Sequence, residues 1–179
     1  MNKNIFLLWQ GQLVSQLGSQ AFSITMMFWL METTGSSALM SIILTLTILP
    51  SIVIGPNAGV VADNYSRKKL IIITDVIRGI SVLFLALLML GEYENQSVLF
   101  IIFALVAFIN GLCRAFFHPA IDALIPDLVS DKHLPKALAF FNSSTQITAI
   151  IGQALAGVLY KILSAPWLLL IDALSYLFS

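Results

Sequence analysis

Polar side chains are sparse in this sequence, and several recur every fourth residue. Gln12, Gln16 and Gln20 fall at i, i+4 and i+8, with Gly11, Ser15, Ser19 and Ser23 beside them. Asn110, Arg114 and His118 repeat the spacing, and Asn142, Gln146 and Gln153 keep close to one face. On a helix this spacing lines up one stripe. Amides and charges are costly in an apolar surrounding, so each stripe should face the interior of a bundle. It can serve there as hydrogen-bonding glue between helices or as the wall of a water-filled cavity that binds a solute. Both readings stand for the Gln12 stripe. Arg114 favours the cavity, because an arginine at membrane depth turns toward water or an acid. His118, next to Pro119, reads as an interfacial polar residue.

The remaining intramembrane charges are Asp75, Arg78 and Asp172. Asp75 and Arg78 stand at i, i+3 and can neutralise one another, and Arg78 could also snorkel toward the near interface. Asp172 is alone in its segment. It is either a functional carboxylate or one held neutral by burial or by a neighbour. No phosphate loop, zinc-binding HExxH or nucleophile elbow occurs, so no catalytic role is expected. The single cysteine, Cys113, allows neither an internal disulfide nor a cysteine metal site and reads as a small apolar residue. No metal and no cofactor are expected. The formal net charge of zero offers nothing to nucleic acid.

The elements carrying these residues are membrane helices. Apolar residues make up 59% of the chain and charged residues 10%, against roughly 45–50% and 25% in soluble domains. Apolar stretches of spanning length lie near residues 5–31, 37–62, 70–91, 98–118 and 137–162, and a shorter one covers 166–179. Breaks are expected at Thr33-Thr34-Gly35-Ser36, residues 63–69, 92–96 and 119–136, and Ser164-Ala165-Pro166. Trp9 and Trp29 are about 30 Å apart along a helix, matching aromatic belts at both faces of a bilayer. The first stretch is too long for a signal peptide and reads as an uncleaved helix. Gly55 and Gly59 around Pro56, and Gly152, Ala156 and Gly157, read as close-packing or flexing points. The expected fold is an all-α, six-helix transmembrane bundle in the lipid bilayer. Its last helix is expected to be truncated: 14 residues rise about 21 Å, some 9 Å short of the hydrocarbon core.

The stretch Gly59-Val-Val-Ala-Asp63-Asn-Tyr-Ser-Arg67-Lys68-Lys69 resembles the loop signature between helices 2 and 3 of major facilitator superfamily transporters, Gly-x-Leu-Ala-Asp-Arg-x-Gly-Arg-Lys/Arg. Asn64 stands where a basic residue is usual and Ser66 where glycine is. Asp75-Val-Ile-Arg78, Phe117-His-Pro119-Ala120, Ala123-Leu-Ile-Pro126-Asp-Leu-Val129 and Asp172-Ala-Leu-Ser-Tyr176 are similar to the macrolide-efflux type of drug:proton antiporters. Gly152-Gln-Ala-Leu-Ala-Gly157 resembles a reduced form of the antiporter motif of helix 5. The resemblance covers the whole chain but only the N-terminal six-helix half of that family. It implies inverted three-helix repeats and a site between two rocking halves. It further implies a hydrophobic small-molecule substrate, proton coupling and a C-terminal six-helix half as partner. Gly59, Asp63, Arg67 and Lys68 would form a conformational latch, with Asp63 set against a helix end of the other half. The alternatives are a non-transporting remnant or membrane interaction subunit, and a half-transporter working as a homodimer.

Orientation follows from the loop cations. Lys3, Arg67, Lys68, Lys69, Lys132 and Lys136 fall on one side of the expected topology, and only Lys161 on the other. This predicts a multi-pass protein of the plasma or inner membrane with a cytoplasmic N-terminus. Glu32, Glu92 and Glu94 then lie in outer loops. Cysteine at Ser66 is expected to be labelled by an impermeant maleimide only from the cytoplasm, and cysteine at Asn95 only from outside. Reversed labelling would overturn the topology.

Overall fold

The computed structural model describes residues 3–91 and 95–179, without the side chains of Lys3, Asn4, Asp63 and Asp131. Glu92 and Glu94, assigned above to an outer loop, lie outside the described residues. So do the side chains of the loop cation Lys3 and the latch residue Asp63. The rest forms α1 (Lys3–Thr34), α2 (Ser37–Asn64), α3 (Arg67–Leu90), α4 (Gln96–Leu128), a short 3-10 turn (Asp131–His133) and α5 (Leu134–Phe178). Four of these are long and apolar enough to cross a membrane: Ser37–Ala62, Arg67–Leu90, Gln96–Leu128 and Leu134–Phe178. α1 has the length, with 32 residues, but its amides and hydroxyls dilute the apolar run.

The helix boundaries have local causes. Gly35 takes φ 60° between α1 and α2, a conformation that costs glycine little. Ser36 then caps α2, its Oγ accepting from Leu39 N at 3.3 Å, and Asn95 caps α4 by accepting from Val98 N at 3.2 Å. α5 contains 45 residues, about 68 Å of rise, more than twice the hydrocarbon thickness. It is broken at Ser164, whose φ of 59° and ψ of 164° are not helical. The expected break at residues 164–166 is therefore present, as a sharp corner dividing α5 into two arms. Ala156 of the first arm and Leu168 of the second meet at Ala21 of α1.

The expected end of the fourth helix at Pro119 is corrected. α4 runs through Pro119 and Pro126 to Leu128. Each proline removes one helix hydrogen bond. Beyond Pro119, Ala120, Ile121 and Ile125 pack with Ile5, Ala62, Ile71 and Phe141, and that burial holds the extra turns in place. The connection to α5 shrinks accordingly to a few residues around the 3-10 turn.

α1 lies along α5, α2 lies along α4, and α3 is wedged between α4 and α5. A central core joins Phe22, Met26 and Leu30 to Ile43, Val82, Leu85, Phe103 and Leu169. Trp29 stacks on Phe103 at 5.0 Å. The glycine expectations divide. Gly152 is a close-packing point, since a Cβ there would lie 2.8 Å from Gln20. Gly55 and Gly59 do not pack closely, because a Cβ at either meets nothing within 4 Å. The tight α2–α4 crossing is instead at Gly111, where a Cβ would lie 2.5 Å from the Thr47 carbonyl oxygen, and Ser51 Oγ donates to Gly111 O at 3.1 Å.

Gly111→Ala sets a methyl group against backbone that cannot rotate away. It is expected to destabilise the chain by about 1–3 kcal/mol, seen as a lower melting temperature in detergent. Gly55→Ala faces open space within α2 and is expected to keep the melting temperature or raise it slightly, because alanine is the better helix former. Equal behaviour of the two variants would refute the α2–α4 crossing.

Candidate functional site: a polar cavity beside a buried charge cluster

Arg78 projects from the middle of α3 into the junction of four helices and is 4% exposed. Of the two options the sequence left it, pairing with Asp75 or snorkelling to the interface, snorkelling is not taken, because the protein supplies partners for the guanidinium. Nε donates to Asn110 Oδ1 of α4 at 3.2 Å, and Nη2 donates to Ser19 Oγ of α1 at 2.9 Å. Nη1 lies 3.7 Å from Asp75 Oδ1, the expected i, i+3 pair. The guanidinium also sits 4.3 Å from the Tyr176 ring centre and 5.8 Å from that of Phe117, a desolvated cation–π arrangement.

The partners are themselves oriented. Asn110 Nδ2 donates to Val106 O at 2.9 Å, which turns Oδ1 toward Arg78. Ser19 donates its proton to Ser15 O at 2.9 Å. The 3.1 Å contact between Ser19 and Tyr176 is then a bond donated by the Tyr176 hydroxyl.

Asp172 lies on the second arm of α5, completely buried, and among the described residues neither carboxyl oxygen has a hydrogen-bond partner. It fills the space beside Gly18, where a Cβ would lie 2.6 Å from Asp172 Oδ1 and would also strike the Ser175 hydroxyl. Glycine at position 18 is thus the condition for this carboxyl to approach α1.

Next to the cluster is a cavity of about 390 Å³. Gln12, Gln16 and Gln20 line it from α1, Arg114 and His118 from α4, and Asn142 and Gln146 from α5. One edge of Arg78 reaches it as well. Two predicted lining residues lie elsewhere. Asn110 stands behind the wall, buried with Arg78. Gln153 is outside the cavity and donates to Gln20 Oε1 at 3.2 Å. The α1 stripe lines the cavity and also bonds across helices, since Gln16 Nε2 donates to Thr145 Oγ1 of α5 at 3.2 Å. Trp9, read above as a belt residue, donates from Nε1 to Ser144 Oγ at 2.9 Å and adds to this seam.

In the signature loop, Arg67 Nη1 donates to Ala123 O at 2.8 Å and to the Asp127 carboxylate. The start of α3 is thereby tied to the far end of α4. Lys68 is exposed, and Gly59 lies on an open face of α2. Sequence reasoning missed the parts played by Tyr176, Gly18 and Asp127. Tyr176 had a usable signal, since it is one turn from Asp172 on the same helix face.

Arg78→Met removes the cation and leaves Asp75 buried without its pair, with an expected loss of about 3–5 kcal/mol. Adding Asp75→Asn is expected to restore part of it. Thermal unfolding of the two variants decides. A double variant no more stable than Arg78→Met would show that the pair does not act as one.

Residues 8–179 match the family model described as Major Facilitator Superfamily. The chain is 32% identical over 169 residues to macrolide efflux protein A of Streptococcus pyogenes, covering 94% of this chain and 41% of that protein. It is 33% identical over 140 residues to macrolide efflux protein A of Enterococcus faecalis, covering 78% of this chain and 42% of that one. To the staphyloferrin A transporter of Staphylococcus aureus it is 27% identical over 171 residues, 96% of this chain and 41% of the transporter. No solved structure matches. The chain spans about two fifths of the length of these relatives. Its apolar helices, inward polar stripes and loop signature agree with the family match over nearly its full length: the chain belongs to the major facilitator superfamily.

Proposed function

We propose that the chain acts as the N-terminal six-helix half of a secondary transporter, two inverted three-helix repeats that export hydrophobic compounds such as macrolides in exchange for protons. The observation that carries this reading is the polar cavity walled by α1, α4 and α5 and backed by buried charges. A helix bundle that only had to pack would gain nothing from leaving Arg114, His118, Asn142 and Gln146 exposed in a concavity. In this reading a C-terminal six-helix half closes the cavity's open side, and the two halves rock about the solute. The bundle sits in the plasma or inner membrane with its N-terminus in the cytoplasm. Asp63 and Lys68 work with the Arg67 tether to latch the cytoplasmic side.

Proton coupling is assigned to Asp172. One cation, Arg78, faces two carboxyls, and Asp75 is the one in ion-pair range. Asp172 is fully buried and its carboxyl oxygens have no hydrogen-bond partner among the described residues, which leaves it as the carboxyl free to exchange a proton. A movement of the second arm of α5 that admits water lets the proton leave, which links protonation to the position of that arm.

The test is transport by this chain joined to the C-terminal half of one of its relatives. In inside-out vesicles an acid interior is expected to drive uptake of a macrolide, and Asp172→Asn to change the pH dependence. The 179 residues alone are expected to give no gradient-driven flux, because alternation needs two bundles moving against each other. Flux from the chain alone would indicate a homodimeric half-transporter. Unchanged activity and pH profile in Asp172→Asn would reduce that residue to packing.

A further inference from the structure

Arg114 differs from Arg78 in one respect. Arg78 is fully engaged by Ser19, Asn110, Asp75 and Tyr176. Arg114, on α4, is exposed into the cavity. Among the described residues no acceptor takes its N–H groups and no carboxylate lies within 4.0 Å. A guanidinium carries five donors and keeps its charge. Placed midway along an apolar helix, it is electrostatically unmet. Asp122 is the one acid among the described lining residues, and it lies eight positions along α4, about 12 Å of rise away.

We propose that the cavity selects amphiphilic solutes bearing a carboxylate, with Arg114 as the group that binds it. The inference rests on the transporter reading and departs from its macrolide example, since a macrolide is a lactone with a basic amine and no carboxylate: it directs the same cavity to acidic amphiphiles. The fork of a guanidinium matches a carboxylate with two parallel hydrogen bonds, and the bond is stronger for being charged at both ends. The body of such a solute has an apolar wall to lie against, formed by Phe117, Ile121, Ile125 and Phe141. Asn142 and Gln146, both exposed, are free to bond neutral polar groups along it. A cationic amine of the same size would meet Arg114 with no compensating acid at that depth. Recognition through Arg114 also explains why the cavity tolerates its charge: the bound anion completes the pairing that the described residues leave open.

The experiment is calorimetric titration of the purified chain in lipid nanodiscs with three matched probes: 1-naphthylacetic acid, its amide, and 2-(1-naphthyl)ethylamine. The acid is expected to bind at least about tenfold more tightly than the amide, and the amine more weakly than either. Arg114→Gln is expected to bring the acid down to the affinity of the amide. Arg114→Lys, which keeps charge but not the fork, is expected to retain part of the preference. Helical circular dichroism checks that both variants are folded. Equal binding of acid and amide to the wild-type chain would overturn the proposal and leave the cavity reading standing. An acid preference that survives in Arg114→Gln would overturn it too, placing the anion site elsewhere. Binding of none of the three probes would overturn the proposal and the cavity reading together.

Discussion

A guanidinium held away from water must be solvated by the protein around it, and the bundle is arranged to do so for Arg78. Its donors are met by α1 and α4, its charge by Asp75 on its own helix, and its face by Tyr176 of α5. Four helices therefore share one side chain. Leaving such a group unpaired costs several kcal/mol, so the relative positions of the helices are constrained more sharply than by apolar contact alone. In lipid this matters, because the surrounding tails are as apolar as the core and provide little drive for helices to associate. Small residues then permit the close approach the polar contacts require. Gly18 makes room for Asp172 and Ser175, and Gly111 brings α4 onto the backbone of α2.

The cavity and the cluster share a wall. Ser19 lines the cavity, receives a bond from Arg78 and another from Tyr176. Tyr176 of the second α5 arm is thus one hydrogen bond away from the cavity surface. The tether from Arg67 to Ala123 and Asp127 holds the α2–α3 loop against the end of α4, the helix that also carries Arg114.

Much of this was legible in the sequence, for reasons that also mark its limits. Apolar length and turn residues located the helices, since the bilayer leaves a backbone few alternatives. Four-residue spacing identified the faces that turn inward, and Gln12, Gln16, Gln20, Arg114, Asn142 and Gln146 do meet in one cavity. Spacing on one helix does not say which helix lies opposite. Gly55 and Gly59 had a packing pattern and no partner, while Gly111 had a partner and no pattern. Pro119 looked like a stop because a missing donor is visible in sequence, whereas the apolar contacts that carry α4 past it are not. Arg78 has snorkelling as an option in the sequence because that depends only on its own side chain. Its burial depends on Asn110, Ser19 and Tyr176, residues 32, 59 and 98 positions away in the chain.

The Asp75–Arg78 pair has a consequence for how the bundle is assembled. Both residues belong to α3, so that helix enters the bilayer carrying its own counter-charge and needs no neighbour to be neutral. Ser19 precedes it in synthesis and Asn110 follows, while Tyr176 comes last, on the second arm of α5. Arg78 is therefore solvated in stages as the ribosome delivers each helix, first by Asp75, then by the amide and hydroxyl, and finally by the aromatic face. Until the last arm docks, Arg78 lacks the aromatic face that completes its surroundings.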